Sequence, residues 1–284
     1  MKERKVTQVI RGTDAIDGAG VHLSRVLSRP HVKDFDPFLM LDSFDSENPE
    51  DYIKGFPMHP HRGIETVTYL IQGSIIHEDS LGNKGVIESG CSQWMTAGSG
   101  IMHQEMPQPA KKMLGFQLWL NLPQVEKMTE PKYFEIRKED IPIVQGDGFS
   151  VSIVSGEFQG TKGVKSHHIQ AMILDATVEA KCEIRIPTPK GETVFVFLLE
   201  GEGQVAEEIY HEKSAILFDD GDFVKVRATE KALHFVLFSA PPIKESIAWG
   251  GPIVMNTEEE LRQAFADLED GAFIKESPKL SKMK

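Results

Sequence analysis

Short apolar stretches separated by glycine-rich turns constrain the fold of this chain more than any other feature. Between residues 65 and 122, and again between 149 and 239, such stretches recur at intervals of roughly ten residues. Ser74–Asp79 and Met102–Met106 are two examples. Many short strands with regular turn signals are typical of a β-sandwich or a β-barrel. We therefore predict an all-β protein, except for one segment near the C-terminus.

That segment begins at Thr257 and has the features of a helix. Threonine is a preferred N-cap, and the three acids at 258–260 would lie in the positively polarised first turn. Leu261, Phe265 and Leu268 recur at helical spacing and form one apolar stripe. The pattern predicts a short amphipathic helix that packs against a sheet.

The two β-rich halves are similar to each other. Residues 63–70, GIETVTYL, align with residues 191–198, GETVFVFL, when one gap is allowed, and a glycine turn follows each. Self-similarity of this kind indicates two copies of one supersecondary unit. The sequence therefore predicts two domains of the same fold.

Composition and charge argue against several classes of function. The formal net charge of -12 disfavours a general electrostatic grip on nucleic acid or on an anionic membrane. No stretch is long and apolar enough to span a membrane, and the first residues lack an apolar run of signal-peptide length. Cys91 and Cys182 are far apart and suggest neither a disulfide framework nor a cysteine-rich zinc site. We expect a cytoplasmic protein.

Two pairs of metal-ligand residue types carry the main functional signal. His59 and His61 are two residues apart, as are His103 and Glu105. Residues i and i+2 of a strand face the same side, so each pair would present two ligands together. Three imidazoles and one carboxylate suit a first-row divalent cation such as iron, manganese, nickel, copper or zinc. Four protein ligands would leave two positions of an octahedral metal open to substrate or O2, which indicates a catalytic or sensing site.

The second half lacks this ligand set. Where the first half has His59 and His61, the alignment places Pro-Thr-Pro at 187–189, and it pairs His103 with His234. We therefore expect the metal in the first half only.

Glu65 is an alternative to Glu105 as the carboxylate ligand. It follows His61 by four residues, so on a straight strand it would face the same side as the histidines. If the intervening Arg62-Gly63 interrupts the strand, Glu65 no longer needs to face the same side as His61. Strand geometry alone leaves both carboxylates open.

The amino-acid sequence of the ligand segments resembles that of one family. Spacing of glycine, histidine and glutamate from Gly55 to Gly73, and from Gly90 to His103, resembles the two cupin motifs. The fuller segments look like pirin and cover nearly the whole chain: GVHLSRVL at 20–27, FPMHPHRG at 56–63, ETV at 65–67, HED at 77–79, QWMTAG at 93–98, HQEMP at 103–107, QLWLNLP at 117–123 and GPIVMNT at 251–257.

The resemblance implies a bicupin, in which two β-barrel or jelly-roll domains precede a short C-terminal helix. We expect an N-terminal metal-binding cupin domain at 1–130, a connector at 131–148 and a C-terminal degenerate cupin domain without metal ligands at 149–250. The helix and tail would occupy 251–284. Pirins are often monomers, so a monomer is expected here.

The resemblance also implies one mononuclear divalent metal, most often Fe(II), in the N-terminal domain. The pirin ligands carry over onto His59, His61, His103 and Glu105. In many other cupins the carboxylate comes from the first motif, which would be Glu65 here, so the resemblance favours Glu105.

Two functions follow from the resemblance. Some pirins are similar to quercetin 2,3-dioxygenases, which open the heterocycle of a flavonol with O2, and this is the activity we expect. Glu105 would accept the proton of the flavonol hydroxyl, while Phe56 and Gln117 would line the substrate pocket. The alternative is a non-enzymatic, iron-dependent redox-sensing regulator that binds a protein partner, either a transcription factor or a metabolic enzyme.

Overall fold

The computed structural model describes residues 1–276, which fold mainly into β-strands. In chain order the strands are β1 Val6–Arg11, β2 Thr13–Asp17, β3 Val21–Leu27, β4 Phe38–Ser46, β5 Phe56–His61, β6 Ile64–Gln72, β7 Ser74–Asp79, β8 Lys84–Glu88, β9 Ser92–Thr96, β10 Ile101–Pro107, β11 Met113–Asn121, β12 Lys132–Ile136, β13 Ile143–Gly146, β14 Phe149–Ser155, β15 Glu157–Phe158, β16 Thr161–Lys162, β17 Met172–Val178, β18 Glu183–Pro187, β19 Thr193–Glu200, β20 Glu202–Val205, β21 Glu208–His211, β22 Ser214–Phe218, β23 Phe223–Ala228, β24 Leu233–Ala240, β25 Ala248–Gly250 and β26 Ile253–Met255. The helices are α1 Glu258–Glu269 and four short 3-10 turns, Arg29–His31, Pro49–Asp51, Gln124–Glu126 and Lys138–Asp140.

The chain divides into two compact units, each with a seven-stranded and a four-stranded sheet. The first barrel comprises residues 14–23, 40–135 and the described part of 243–284, and the second barrel comprises 1–13, 24–39 and 136–242. The sheets of the first barrel are ordered β12-β9-β6-β11-β4-β3-β2 and β5-β10-β7-β8. Those of the second are ordered β1-β22-β19-β24-β17-β14-β13 and β18-β23-β20-β21. The two orders correspond strand for strand, so the chain is a bicupin, as the sequence predicts.

The two units are not consecutive in the chain, because each contains segments from both the N-terminal and the later part of the sequence. The N-terminal strand β1 pairs with β22 of the second barrel, although it comes first in the chain. The expected connector, 131–148, contains β12 and β13, which lie at the ends of the two seven-stranded sheets. Both are edge strands with mixed polar sequences, KYFEI and IVQG, and therefore lack the apolar alternation that identifies a strand.

Alternate residues of the inner strands point into each barrel. In β10 every second residue is buried, beginning with Ile101 and including His103 and Glu105. This is the period of two that an extended backbone imposes. The strand therefore aims an imidazole and a carboxylate inward from one face, as the spacing predicts.

The C-terminal helix forms where it is predicted. The Thr257 hydroxyl accepts a hydrogen bond from the Glu260 amide at 3.1 Å, as in a capping box. Leu261 and Ala264 are buried against the β25–β26 hairpin. Phe265, predicted to belong to the buried stripe, is 36% exposed, although its ring lies beside Gly250 of β25. Within residues 1–276, no helix is both long and apolar enough to cross a membrane.

Candidate metal centre

Two neighbouring strands of the first barrel bring three histidines together. β5 pairs with β10 in antiparallel register, which places His59 directly opposite His103 and His61 opposite Ile101. The ligand nitrogens of His59, His61 and His103 all lie within 4.8 Å of one another. Sequence reasoning singled out these three residues, and the fold brings them to one point.

Hydrogen bonds fix the orientation of two of the imidazoles. His59 Nδ1 lies 2.9 Å from the carbonyl oxygen of Pro57, and His61 Nδ1 lies 3.0 Å from that of Pro252. A carbonyl only accepts, so each Nδ1 carries the proton and each Nε2 keeps its lone pair. The two Nε2 atoms are 3.1 Å apart. Two lone pairs at that distance repel each other unless a cation or a proton lies between them, so the pair fits a metal.

His103 supplies a third neutral donor. Its side chain is fully buried, and neither ring nitrogen has a hydrogen-bond partner within residues 1–276. Burial, together with the neighbouring His61 and His59, holds the pKa of His103 well below its usual value. Burial also lowers the pKa of His61, to about 3, and His59 adds to the shift. Neutral, unpartnered imidazoles are the form that binds a metal.

Glu105 is held in place by two donors from the opposite sheet. The Thr68 hydroxyl donates to Oε1 at 3.0 Å, and the Gln117 side-chain amide donates to Oε2 at 2.5 Å. The carboxylate also belongs to a second triad, with His103 and His77, whose ligand atoms lie within 4.8 Å of one another. His103 is therefore shared by two groups of ligand atoms, and Glu105 is in the second of them.

Glu65 occupies a different environment. It is fully buried on β6, where its Oε1 accepts a hydrogen bond from the Thr96 hydroxyl at 2.7 Å. Neither of the two triads found among the described residues includes it. Gly63, between His61 and β6, has a φ of +79°, so the backbone turns there and the strand parity from His61 to Glu65 is interrupted. This geometry favours Glu105 as the carboxylate ligand.

His77 is a functional candidate that the sequence reasoning did not include among the metal ligands. It is fully buried, with its Nε2 3.2 Å from Asp79 Oδ2. Its ring stacks on Tyr133 with centroids 4.5 Å apart and lies 5.4 Å from the His103 ring. The signal was present: His77 and Asp79 have the same i, i+2 spacing, and β7 pairs with β10.

The two predicted pocket residues lie in different surroundings. Gln117 is 9% exposed and, besides contacting Glu105, accepts a hydrogen bond from the Trp119 indole at 3.3 Å. The Trp119 ring in turn packs edge-on against His61 at 4.8 Å. Phe56 is half-buried and packs against Phe44 at 6.3 Å, as part of an apolar cluster. A substrate-lining role for Phe56 and Gln117 stays a prediction.

The C-terminal segment supports the first ligand strand through buried charges. Arg62, adjacent to His61, is 2% exposed and binds Asp267 of α1 at 2.8 Å. It also donates to the carbonyl of Phe273 at 2.9 Å and lies over that ring at 4.2 Å. Gln263, Arg62 and Lys275 all donate to Asp267 and lower its pKa.

Lys127 adds a second anchor between the same two segments. Its ammonium donates to the carbonyls of Gly63 and Val254, each at 2.9 Å, and to Asn121 Oδ1 at 2.5 Å. Burial lowers the pKa of Lys127 to about 7, although Glu245 and Glu260 oppose the shift. Since the Pro252 carbonyl that orients His61 lies two residues before Val254, these contacts help to hold the histidine.

The equivalent position of the second barrel is apolar. β18 pairs with β23, so that Ile184 lies opposite Val226 and Ile186 opposite Val224. All four side chains are at most 1% exposed. By strand order and register, Ile184 and Ile186 correspond to the two histidines of β5.

The sequence alignment that placed 187–189 opposite the histidines was therefore wrong, as was its match of His234 with His103. The loop before β19 is longer than the loop before β6, which displaces the alignment. His234 lies on β24, the counterpart of β11 rather than of β10, and it pairs with Asp175 at 2.5 Å.

The fold and the ligand cluster define the class of this protein as a bicupin with a candidate metal centre in its first barrel. Models of the pirin family match residues 20–120 ("Pirin") and 173–274 ("Pirin C-terminal cupin domain"). A pirin-like protein of Caulobacter vibrioides is 42% identical over 277 residues, which cover 96% of this chain and 100% of the relative. The chain belongs to the pirin family.

Solved structures agree with this assignment. A crystal structure of quercetin 2,3-dioxygenase from Acinetobacter baumannii is 31% identical, with a TM-score of 0.88, and the match covers 96% of this chain and 99% of that one. A bacterial pirin from Escherichia coli in complex with nickel(II) is 22% identical, covers 83% and 99% of the two chains and has a TM-score of 0.64. At that identity the second likeness concerns the fold alone.

Proposed function

We propose that the first barrel binds one divalent metal and opens the heterocycle of a flavonol with O2, as a quercetin 2,3-dioxygenase does. One observation carries the proposal. Three imidazoles converge, two of them oriented by carbonyl groups with their Nε2 atoms facing each other, beside a carboxylate that two donors hold. The likeness to a quercetin 2,3-dioxygenase of Acinetobacter baumannii supports the choice of reaction.

The donor set suits a first-row metal. His59, His61, His103 and Glu105 would be its ligands, with Fe(II) expected and manganese, nickel, copper or zinc able to substitute. The nickel(II) complex of a bacterial pirin from Escherichia coli is consistent with metal binding at this fold. When bound, the metal would supply Lewis acidity and a meeting point for the flavonol oxygen and O2.

Glu105 would accept the proton of the flavonol 3-hydroxyl. Deprotonation makes the heterocycle electron-rich enough to react with O2, and a carboxylate within hydrogen-bond reach can accept that proton. Thr68 and Gln117 donate to its two oxygens, so they hold the carboxylate in one orientation. Addition of O2 across the heterocycle with release of carbon monoxide then gives a depside, which balances the atoms of flavonol and O2.

Aromatic side chains would keep the site dry and orient a planar substrate. Trp119 packs against His61 and is bonded to Gln117, so its ring is fixed beside the ligands. Phe56 is paired with Glu105 across the strands and offers an apolar edge. Exclusion of water strengthens the electrostatic interactions of the proton transfer.

The test is aerobic turnover of quercetin, followed as loss of the flavonol absorbance. The metal-loaded protein should consume quercetin, and His61→Ala should abolish consumption while the second-barrel control His234→Ala retains it. Glu105→Gln should stop turnover and Glu65→Gln should leave metal content unchanged. No turnover of quercetin by protein with a full complement of metal would refute the dioxygenase. Recovery of a protein partner only with the oxidised metal would then favour the redox-sensing regulator.

A further inference from the structure

A cavity of about 590 Å³ lies in the second barrel. Small-molecule sites typically measure ~300–1,000 Å³. Its lining residues fall between Ser155 and Glu192, so the second barrel forms it alone. The dioxygenase proposal gives this cavity no role.

One wall of the cavity is a loop with its own hydrogen-bond framework. The Gly163 amide donates to the Gly156 carbonyl at 2.9 Å, and the Ser155 hydroxyl donates to the Ala171 carbonyl at 2.6 Å. Gly156 has a φ of +90°, a conformation that favours glycine. Phe158 is only 2% exposed, so the loop is anchored to the core. This wall is therefore formed before any ligand arrives.

A buried arginine fixes another part of the lining. Arg4 is 3% exposed and donates from Nε to the Thr188 hydroxyl at 2.7 Å and from Nη2 to the Pro189 carbonyl at 2.5 Å. Both acceptors line the cavity. The turn between β18 and β19 is consequently held by charge-assisted hydrogen bonds. Preorganised walls lower the entropic cost of binding.

Glu192 contributes an acidic side chain to the lining of the cavity. Its carboxyl is half-buried and accepts a hydrogen bond from the Ser239 hydroxyl at 2.5 Å. Burial raises the pKa of Glu192, although Ser239 and Arg4 oppose the shift. A partly desolvated carboxylate gains most from a further hydrogen-bond donor.

The charges around the cavity cancel. Glu157 and Lys162 face each other at 3.7 Å, and the remaining charged lining residues, Lys165 and Glu192, are one of each sign. The rest of the lining is largely apolar and includes the thioether of Met172. A lining of this kind favours a neutral ligand, and a thioether contacts aromatic rings favourably.

We propose that this cavity binds a neutral, hydroxylated aromatic molecule. One ligand hydroxyl donates to the Glu192 carboxylate, and the aromatic ring packs against Met172. The site is separate from the metal centre and does not require it.

The test uses resveratrol, a neutral polyphenol that lacks the adjacent hydroxyl and carbonyl with which a flavonol chelates metal. Protein labelled with [¹³C-methyl]methionine is titrated, with the Met172 signal assigned through Met172→Leu. The Met172 methyl signal should shift to saturation, equally in metal-loaded and metal-stripped protein. Benzoate and benzylamine, the charged aromatic controls, should shift it far less.

Variants locate the site. Glu192→Gln should weaken binding about tenfold, the effect of one lost charge-assisted hydrogen bond. Pro189→Trp, at an exposed position that keeps its backbone carbonyl, should obstruct the cavity and abolish the shift. The matched control Glu207→Gln, on an exposed turn of the same barrel, should bind normally. An unmoved Met172 signal, binding lost on metal removal, or tighter binding of a charged control would overturn the proposal.

Discussion

The two barrels share a strand order but differ at one pair of strands. In the first, β5 and β10 set His59 opposite His103, whereas in the second, β18 and β23 set Ile184 opposite Val226. At these positions the backbone pairing is equivalent and the inward side chains differ, although β5 and β10 also have a register shift between His103 and Glu105 that β18 and β23 lack. The difference shows that the cupin fold determines which positions can hold metal ligands, whereas the residue types at those positions determine whether a metal site is present.

The polar side chains inside the first barrel lower its folding stability, whereas the apolar side chains at the equivalent positions of the second barrel do not. Neither nitrogen of His103 has a hydrogen-bond partner within residues 1–276, and an unsatisfied buried polar group is unfavourable by about 1–3 kcal/mol. Val226, at the equivalent position, is fully buried without such a penalty. A bound metal would coordinate the buried imidazole of His103 and so remove this penalty.

The largest expected effect is loss of the metal on removal of a shared ligand. His103→Ala should lower the affinity of the first barrel for Fe(II) or nickel(II) by at least about a thousandfold, or ~4 kcal/mol, since His103 belongs to both ligand triads. Metal content by mass spectrometry and titration calorimetry measure this. The second-barrel control His234→Ala should keep its metal, and equal losses in both variants would erase the distinction between the barrels.

The support of the ligand strand is the next test. Asp267→Ala leaves the buried guanidinium of Arg62 without its carboxylate and should destabilise the first barrel by about 2–4 kcal/mol. Denaturant unfolding and hydrogen exchange of α1 and of β5 report this change. Glu269→Ala, an exposed acid on the same helix, is the matched control. Unchanged exchange in β5 would show that the C-terminal segment does not support the site.

Orientation of Glu105 should have a smaller effect. Gln117→Leu removes the donor to Oε2 and should weaken metal binding about 10–100-fold, as is usual for groups that orient a ligand. Gln117→Glu should be worse, because a second carboxylate repels the first. Affinity of Gln117→Leu equal to that of the natural protein would mean that Glu105 needs no such support.

The second barrel should show its own pH dependence. Burial alone would lower the pKa of His234, but Asp175 and Glu200 raise it to about 9. The folded-state pKa therefore exceeds the unfolded value of about 6.5, so the stabilisation is complete below about pH 6.5 and is lost as the pH rises through about 9. Asp175→Asn should remove on the order of 2 kcal/mol at pH 6 and little at pH 10. A pH-independent difference in unfolding free energy would contradict this.

The smallest effect is a gain in stability. His103→Leu gives the first barrel an apolar side chain where the second has Val226, and without metal it should stabilise the protein by about 1–3 kcal/mol. With metal present the natural protein should be the more stable of the two, because ligand binding adds to folding stability. Chemical denaturation with and without added metal makes the comparison.

Much of the fold could be predicted because inner strands alternate clearly. β7 was predicted at its observed bounds, and β10 was predicted within one residue at each end. Edge strands β12 and β13 were missed because a polar edge carries no such pattern. The pairing of β1 with the second barrel was not predicted, since it joins residues about two hundred positions apart, which no local signal reveals.

The candidate site was predictable as far as residue types and strand parity allow. The convergence of His59, His61 and His103 follows from that parity once β5 and β10 are paired. The orienting role of Pro252 and the identity of the carboxylate that pairs with Arg62 could not be predicted from the sequence, because both depend on contacts with the distant C-terminal segment. His77 was undervalued because a single buried histidine looks like any other until its sheet neighbour is known.

The most direct test of the central claim is anomalous diffraction from crystals of the metal-loaded protein, recorded at the absorption edge of the metal. The account predicts one anomalous peak per chain, within bonding distance of Nε2 of His59, Nε2 of His61 and a ring nitrogen of His103. A peak among Ile184, Ile186 and Val226, or no peak at the three histidines, would contradict it.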